Sequence, residues 1–305
     1  MTTLQGSILK VIAYFDIFNY PLTVQEIKRF MNESCTEQRL QNVLNELLHE
    51  EMVFKIKDFY SLQNDPSLAL KRISANTSAI KQLKIAQKIA AFLTWFPFIN
   101  GIAISGSLSK NVAYKGSDID FFIITQKNRL WLSKLFFTLL IKCASVAGFQ
   151  KWFCLNYVID ESSLEVQEKN IFTAMEIITL LPLYGATSFN EFFAANEWIY
   201  DYFPNHPPKT NASKEFSPLL LRRFVEWILN NKQGDKTDTA IMSYFEKRWK
   251  KLVAQNKFTE SGFQIGTMMV DKHFCRPYPQ HFQQKILDDY EGRIKTLKAG
   301  YKIAI

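Results

Sequence analysis

The first sixty residues change period in a set order. Ile8, Val11, Ile12, Phe15 and Phe18 recur at helical spacing, and after Pro21 the residues Val24, Ile27, Phe30 and Met31 again line one helical face. Leu40, Val43, Leu44, Leu47 and Leu48 make a third such face, with Ser34 (three residues before Glu37) or Thr36 as its N-cap. Met52 to Ile56 and Phe59 to Leu62 then read as two strands turning at Lys57-Asp58. Farther along, Leu83, Ala86, Ile89, Ala90 and Leu93 predict a helix over 80–92, Gly101 to Ser105 a short buried strand, and Phe121 to Ile124 another. Leu130 to Phe149 reads as a buried amphipathic helix and Trp152 to Ile159 as a further strand. From Leu164 onward the pattern is helical: Ile171, Ala174, Met175, Ile178 and Leu181 share a face that stops near Pro182 and Gly185, and 222–229, 240–253 and 283–297 read likewise. Between them, Pro-rich 203–208 is expected to be a rigid loop and 210–218 a mobile crossing.

Three helices followed by a small hairpin resemble a winged-helix domain, here over residues 1–66. That resemblance implies a third helix able to enter a DNA major groove, and Arg39, Gln41, Asn42 and Asn45 are residue types that read base edges. The charge argues the other way. Residues 1–65 hold six basic and nine acidic side chains, and Glu37, Glu46, Glu50 and Glu51 would repel the phosphate backbone. DNA binding is therefore disfavoured, and a packing or protein-interaction module is the better expectation.

The chemistry is concentrated in the centre. The strand ending at Ser105 runs straight into Gly106-Ser107, and eleven residues after Ser107 stands Asp118-Ile119-Asp120, which opens the next apolar run. Side chains two apart on a strand point the same way, with Cα atoms about 6.6 Å apart at 3.3 Å per residue. Two carboxylates so placed repel unless a cation sits between them, and oxygen ligands on one open side suit Mg²⁺ that also takes substrate phosphates. Gly106 lets the backbone approach closely, and Ser107 can offer its hydroxyl and N–H to an anion.

Gly106-Ser107, the eleven-residue spacing and Asp118-x-Asp120 with apolar flanks resemble the signature of the DNA polymerase beta-like nucleotidyltransferase superfamily, over roughly residues 80 to 165. The resemblance implies a mixed-sheet core that binds a nucleoside triphosphate with Mg²⁺ or Mn²⁺ and transfers a nucleoside monophosphate to an acceptor hydroxyl, releasing pyrophosphate. It makes Asp118 and Asp120 the metal-holding pair and Gly106 and Ser107 the phosphate cradle. Lys110 and Lys115 lie between the two halves and are candidates for triphosphate oxygens as point charges. Members of the superfamily usually carry a third acid on a neighbouring strand. Strict alternation along Trp152 to Asp160 puts Cys154, Asn156, Val158 and Asp160 on one face and Leu155, Tyr157 and Ile159 on the other. Asn156 stands mid-strand where the acid belongs, while Asp160 lies about 13 Å farther on. An amide can coordinate but cannot take a proton. Three readings follow: a metal-dependent nucleotidyltransferase; a catalytically degenerate nucleotide-binding or regulatory protein on the same scaffold; or a winged-helix DNA-binding regulator.

Composition narrows the setting. In 305 residues, 47% hydrophobic and 22% charged residues with 11 Gly and 10 Pro exclude disordered, collagen-like and low-complexity classes. The length suits an N-terminal unit over 1–66, a nucleotidyltransferase core over 67–165 and a helical region over 166–305, an α+β protein throughout. Lys134 and Lys142 interrupt the longest apolar stretch, and the N-terminus lacks a secretory pattern, so a cytoplasmic protein without a membrane role is expected. Cys35, Cys143, Cys154 and Cys275 have no paired spacing and suit reduced thiols; His206, His273 and His281 have no partners at zinc-ligand spacing. The net charge of +8 resides entirely in the last third, since residues 1–208 balance at 19 basic and 19 acidic while 209–305 hold 18 against 10. An anionic acceptor, RNA included, is expected to meet that end.

Overall fold

The computed structural model describes residues 2–114, 116–146, 154–209, 219–256, 268–277 and 280–301; the side chains of 144, 145, 154, 156, 277, 280, 281, 300 and 301 lie outside that set. Of the expected features, Lys115 and the crossing over 210–218 lie outside the described residues. Helices α1 (Thr3–Asp16), α2 (Val24–Phe30) and α3 (Glu37–His49) each open on a threonine, Thr2, Thr23 and Thr36, whose hydroxyl accepts from the third helical amide. Gln5 and Glu26 return the bond to complete capping boxes on the first two. Thr36 takes the third cap, and the alternative, Ser34, instead donates to Asn205 Oδ1. Strands β1 (Phe54–Ile56) and β2 (Phe59–Ser61) form the hairpin, and Leu22 bridges to Tyr60.

Helix α4 (Pro66–Leu93) starts fourteen residues before the apolar pattern announces it, because Asp65 caps it and Pro66 supplies the first turn. Its early turns bury the guanidinium of Arg72, which donates to Pro21 O and Glu26 Oε1 and lies over the Tyr20 ring, so no single apolar stripe runs its length. Then follow β3 (Ile99–Ile104), α5 (Gly106–Ser109), β4 (Asp120–Thr125), α6 (Leu130–Val146), β5 (Cys154–Asp160), α7 (Ile171–Ile178), β6 (Leu181–Tyr184), α8 (Ala186–Ala195), α9 (Ile199–Tyr202), α10 (Leu220–Leu229), α11 (Lys232–Ala254), β7 (Met268–Val270), β8 (Phe274–Pro277) and α12 (Gln280–Tyr301).

The six-stranded sheet has the order β6-β3-β4-β5-β8-β7. β4 and β5 run parallel, joined across α6, and the other described pairings are antiparallel. Three of its strands come from the region expected to be helical: β6, β7 and β8 are three or four residues long, too short to show a period of two. β6 carries Pro182 at the sheet edge, where a missing N–H is tolerated. Helix α7 ends at Ile178, and the apolar face that seemed to reach Leu181 is continued by this strand.

Helices cover both faces. Ile102, Ile104, Phe121, Ile123, Leu155 and Val158 pack with α4, α6 and α11 residues such as Ala86, Ile89, Trp131 and Phe245. Ala103, Phe122, Ile124 and Ile159 point the other way, into a cluster that continues through Met175, Ile178, Phe189 and Phe192 to Ile12, Phe15, Phe30 and Leu44 of the N-terminal unit. Phe189, Phe192 and Phe193 are core side chains, fully or nearly fully buried. Helix α12 closes the same layer: Tyr290 packs edge-on to Tyr14, and Arg293 donates to Asp16 Oδ2 at 2.9 Å. Among the described residues, no helix is long and apolar enough to cross a membrane.

Candidate active site

Strand β3 is paired with β4 up to Ile104 opposite Phe121, and the Ser105 N–H extends the ladder to Asp120 O at 2.9 Å. The next residue leaves the sheet. Gly106 has φ +64°, a left-handed conformation that costs a side-chain-bearing residue roughly 1–2 kcal/mol, and it turns the chain into the single turn of α5. The side chain of Asp120 fills the space in front of it: a Cβ placed on Gly106 would collide with Asp120 Oδ2 and stand 3.1 Å from its Cγ. The glycine and the aspartate, fourteen residues apart in sequence, are one steric unit.

Strand β4 begins at Asp120, so Asp118 stands in the loop just before it and not on the strand as expected; Asp118 is exposed, Ile119 buried and Asp120 half-buried. Two residues along the strand from Asp120, Phe122 packs against Tyr157 of β5 and against Phe189 and Phe192 of α8. The loop leading in is tied to α4: Asn76 Nδ2 donates to Asn111 O, the Ala113 N–H to Ala75 O, and Gln82 Nε2 to Ser117 O at 3.0 Å. Ser117 and Tyr114 close a turn on each other through Tyr114 N–H to Ser117 Oγ, 2.9 Å, and Ser117 N–H to Tyr114 O, 3.0 Å.

Ser107 is exposed beside Gly106. Lys110 Nζ bonds Gly106 O at 3.2 Å and Glu176 Oε1 of α7 at 2.8 Å, while Ser109 Oγ donates to Gly106 O at 2.8 Å. Lys110 thus holds the turn in place. Its backbone carbonyl accepts from Tyr20 Oη at 2.8 Å, linking the N-terminal unit to the same turn. Burial, reinforced by the Glu26 carboxylate, pushes the Tyr20 phenol far above its ordinary range, so it remains a donor. Glu176, Gln82 and Tyr20 carry no sequence signal that would link them to the motif; each reaches it only through packing.

Across β4, Asp120 pairs with Cys154 and Phe121 with Leu155, but Phe122 pairs with Tyr157, so β5 bulges at Asn156. The bulge reverses the expected alternation: Leu155 joins Val158 on the α4 and α6 face, and Tyr157 joins Ile159 on the other. Asn156 itself sits beside the start of β4, its side chain outside the described residues. Asp160 does not join the pair. It lies opposite Thr125 at the far end of the strand, fully buried, and its carboxylate accepts from Asn128 N–H at 2.9 Å and Ser162 N–H at 2.8 Å and meets His273 Nδ1 at 2.9 Å. Those partners make it the keystone of the loops at that end.

Asp118 and Asp120 stand two residues apart at the start of β4, the first of them solvent-exposed, and carboxylate oxygens are donors that Mg²⁺ or Mn²⁺ accepts when water and phosphate oxygens complete its shell. Among the described residues, no group of three or more His, Cys, Asp or Glu side chains is placed to hold a metal. Part of the basic surplus of the last third is displayed on α11, which exposes Lys247, Arg248, Lys250 and Lys251. Compared with known family models, curated proteins and solved structures, the chain has no match.

Proposed function

We propose that the protein is a metal-dependent nucleotidyltransferase, moving a nucleoside monophosphate from a nucleoside triphosphate to an acceptor hydroxyl and releasing pyrophosphate. The observation that supports this reading is the interlock of Gly106 with Asp120, which sets the Gly-Ser turn directly against the Asp120 carboxylate. In this scheme Asp118 and Asp120 hold Mg²⁺ or Mn²⁺, and Gly106 and Ser107 cradle the terminal phosphates. Lys110, steadied by Glu176, fixes the turn. The metal would supply charge neutralisation on the triphosphate. The chain's own residues position the donor and exclude alternative orientations, which is most of what such a transfer requires. The N-terminal unit is a winged helix used for packing, its third helix left acidic, and the basic face of α11 is where an anionic or RNA acceptor would meet the chain.

A second reading, nucleotide binding without transfer, is favoured by β5: Cys154 and Asn156 lie beside the pair, and the nearest acid on that strand, Asp160, is at its other end. One experiment opens both. Thermal stability is measured for wild type and the Asp118→Asn/Asp120→Asn double variant with each of the four ribonucleoside triphosphates and Mg²⁺. A triphosphate at about 100 times its dissociation constant adds roughly 2.7 kcal/mol to the native state. We expect that gain in wild type and none in the variant, and a failure of all four triphosphates would overturn both readings. Pyrophosphate release from the stabilising nucleotide then separates transfer from binding.

A further inference from the structure

Helix α10 is mounted with its polar side inward. Arg222 is buried and donates to Thr94 O at 3.0 Å, to Ile99 O at 2.7 Å and to Glu226 Oε1 at 2.7 Å, and that same carboxylate oxygen accepts from the Phe98 N–H at 2.7 Å. The ion pair therefore fastens the helix to the link between α4 and β3. The outward side carries Leu220, Leu221, Phe224, Trp227 and Ile228, with Leu219 just before the first turn; Leu220 is 83% exposed and Trp227 76%. The spacing is that of a core-facing stripe, yet it faces solvent. The Phe224 and Trp227 rings lie nearly parallel with centroids 6.3 Å apart, a preformed aromatic plate. Trp95, also more than half exposed, stands on the segment to which the helix is pinned.

We infer that this face of α10 is the contact surface for a second copy of the chain, making a two-fold dimer. Size is the first argument. At these exposures the six apolar side chains of Leu219 to Ile228 present on the order of 800 Å², about one partner's share of a standard stable interface and above the patches ordinary on monomers. Charge is the second. With Arg222 and Glu226 turned inward, the outer side of α10 carries a single charged residue, Arg223, too few bases to seat an anionic lipid surface or a nucleic acid. A nearly uncharged apolar stripe is complementary to itself, as the isologous contact of a two-fold dimer requires. Trp227, the largest of these side chains and exposed, is the residue type that dominates such contacts.

The test is the mass of the full chain in solution by sedimentation equilibrium at about 50 µM, ample for a micromolar dimer. Wild type is expected at twice 35.5 kDa, and Trp227→Glu and Phe224→Ser, both at exposed positions, at the monomer mass with unchanged circular dichroism. Amide exchange along α10 in wild type should also speed up on dilution. Wild type at the monomer mass overturns the proposal, as does a dimer that survives both substitutions. A monomer that co-sediments with phosphatidylserine vesicles would reassign the face to lipid and overturn it equally.

Discussion

Gly106 and Asp120 explain each other. The glycine is needed for its positive φ and because the Asp120 carboxylate occupies the volume a methyl group would take. Gly106→Ala is accordingly expected to cost about 1–2 kcal/mol from the backbone alone, with more from the displaced carboxylate. Chemical denaturation reads the first, and the loss of triphosphate-dependent stabilisation reads the second; an alanine variant as stable as wild type would separate the turn from the aspartate. Half of this site was open to a reader of the sequence, because an i, i+2 carboxylate pair after a Gly-Ser turn is a local pattern. Glu176 was not, since its meeting with Lys110 depends on where α7 packs against the α5 turn, 66 residues away in sequence. Asp160 lies at the far end of β5, as its distance along the strand implied, whereas the face of Leu155 was misassigned because a strict period of two was assumed and one bulge at Asn156 was enough to break it.

Among the elements, those with a clean apolar stripe and a cap were legible to within a few residues. The three N-terminal helices belong to this group, while α10, which has no side-chain cap, was legible from its stripe alone. Helix α4 was seen only in its second half, because its first half buries a guanidinium and alanines with one leucine, Leu68, and not a repeating apolar stripe. Helix α10 was found in place but with its orientation hidden: periodicity locates a stripe and says nothing of which way it faces. Its attachment rests on Arg222, so Arg222→Met, which strips three hydrogen bonds and leaves the Thr94 and Ile99 carbonyls without this donor and half-buried Glu226 without its cation, is expected to cost about 1–3 kcal/mol. The measurement is urea unfolding, and a loss within about 0.5 kcal/mol of zero, the range of ordinary surface substitutions, would show that the helix is held by something else.

At the scale of the whole molecule, the N-terminal unit is continuous with one face of the sheet through α7 and α12, and Arg293 with Asp16 ties the last described helix to the first. Residues 1–66 and the sheet are therefore expected to unfold together, in one calorimetric transition whose van't Hoff and calorimetric enthalpies agree; two resolved transitions would contradict that continuity. What the sequence by itself determined was local: caps, amphipathic stripes, a strand–Gly-Ser–Asp-x-Asp unit and an α+β character, all of which depend on neighbours within a few residues. What only the tertiary structure decided was longer-ranged: three short strands recruited from the last third, the bulge that sorts β5, the inward mounting of α10 and the Lys110–Glu176 contact. These depend on which surfaces are already occupied when the chain folds back on itself, and a burial pattern carries the periodicity of a face without the identity of its partner.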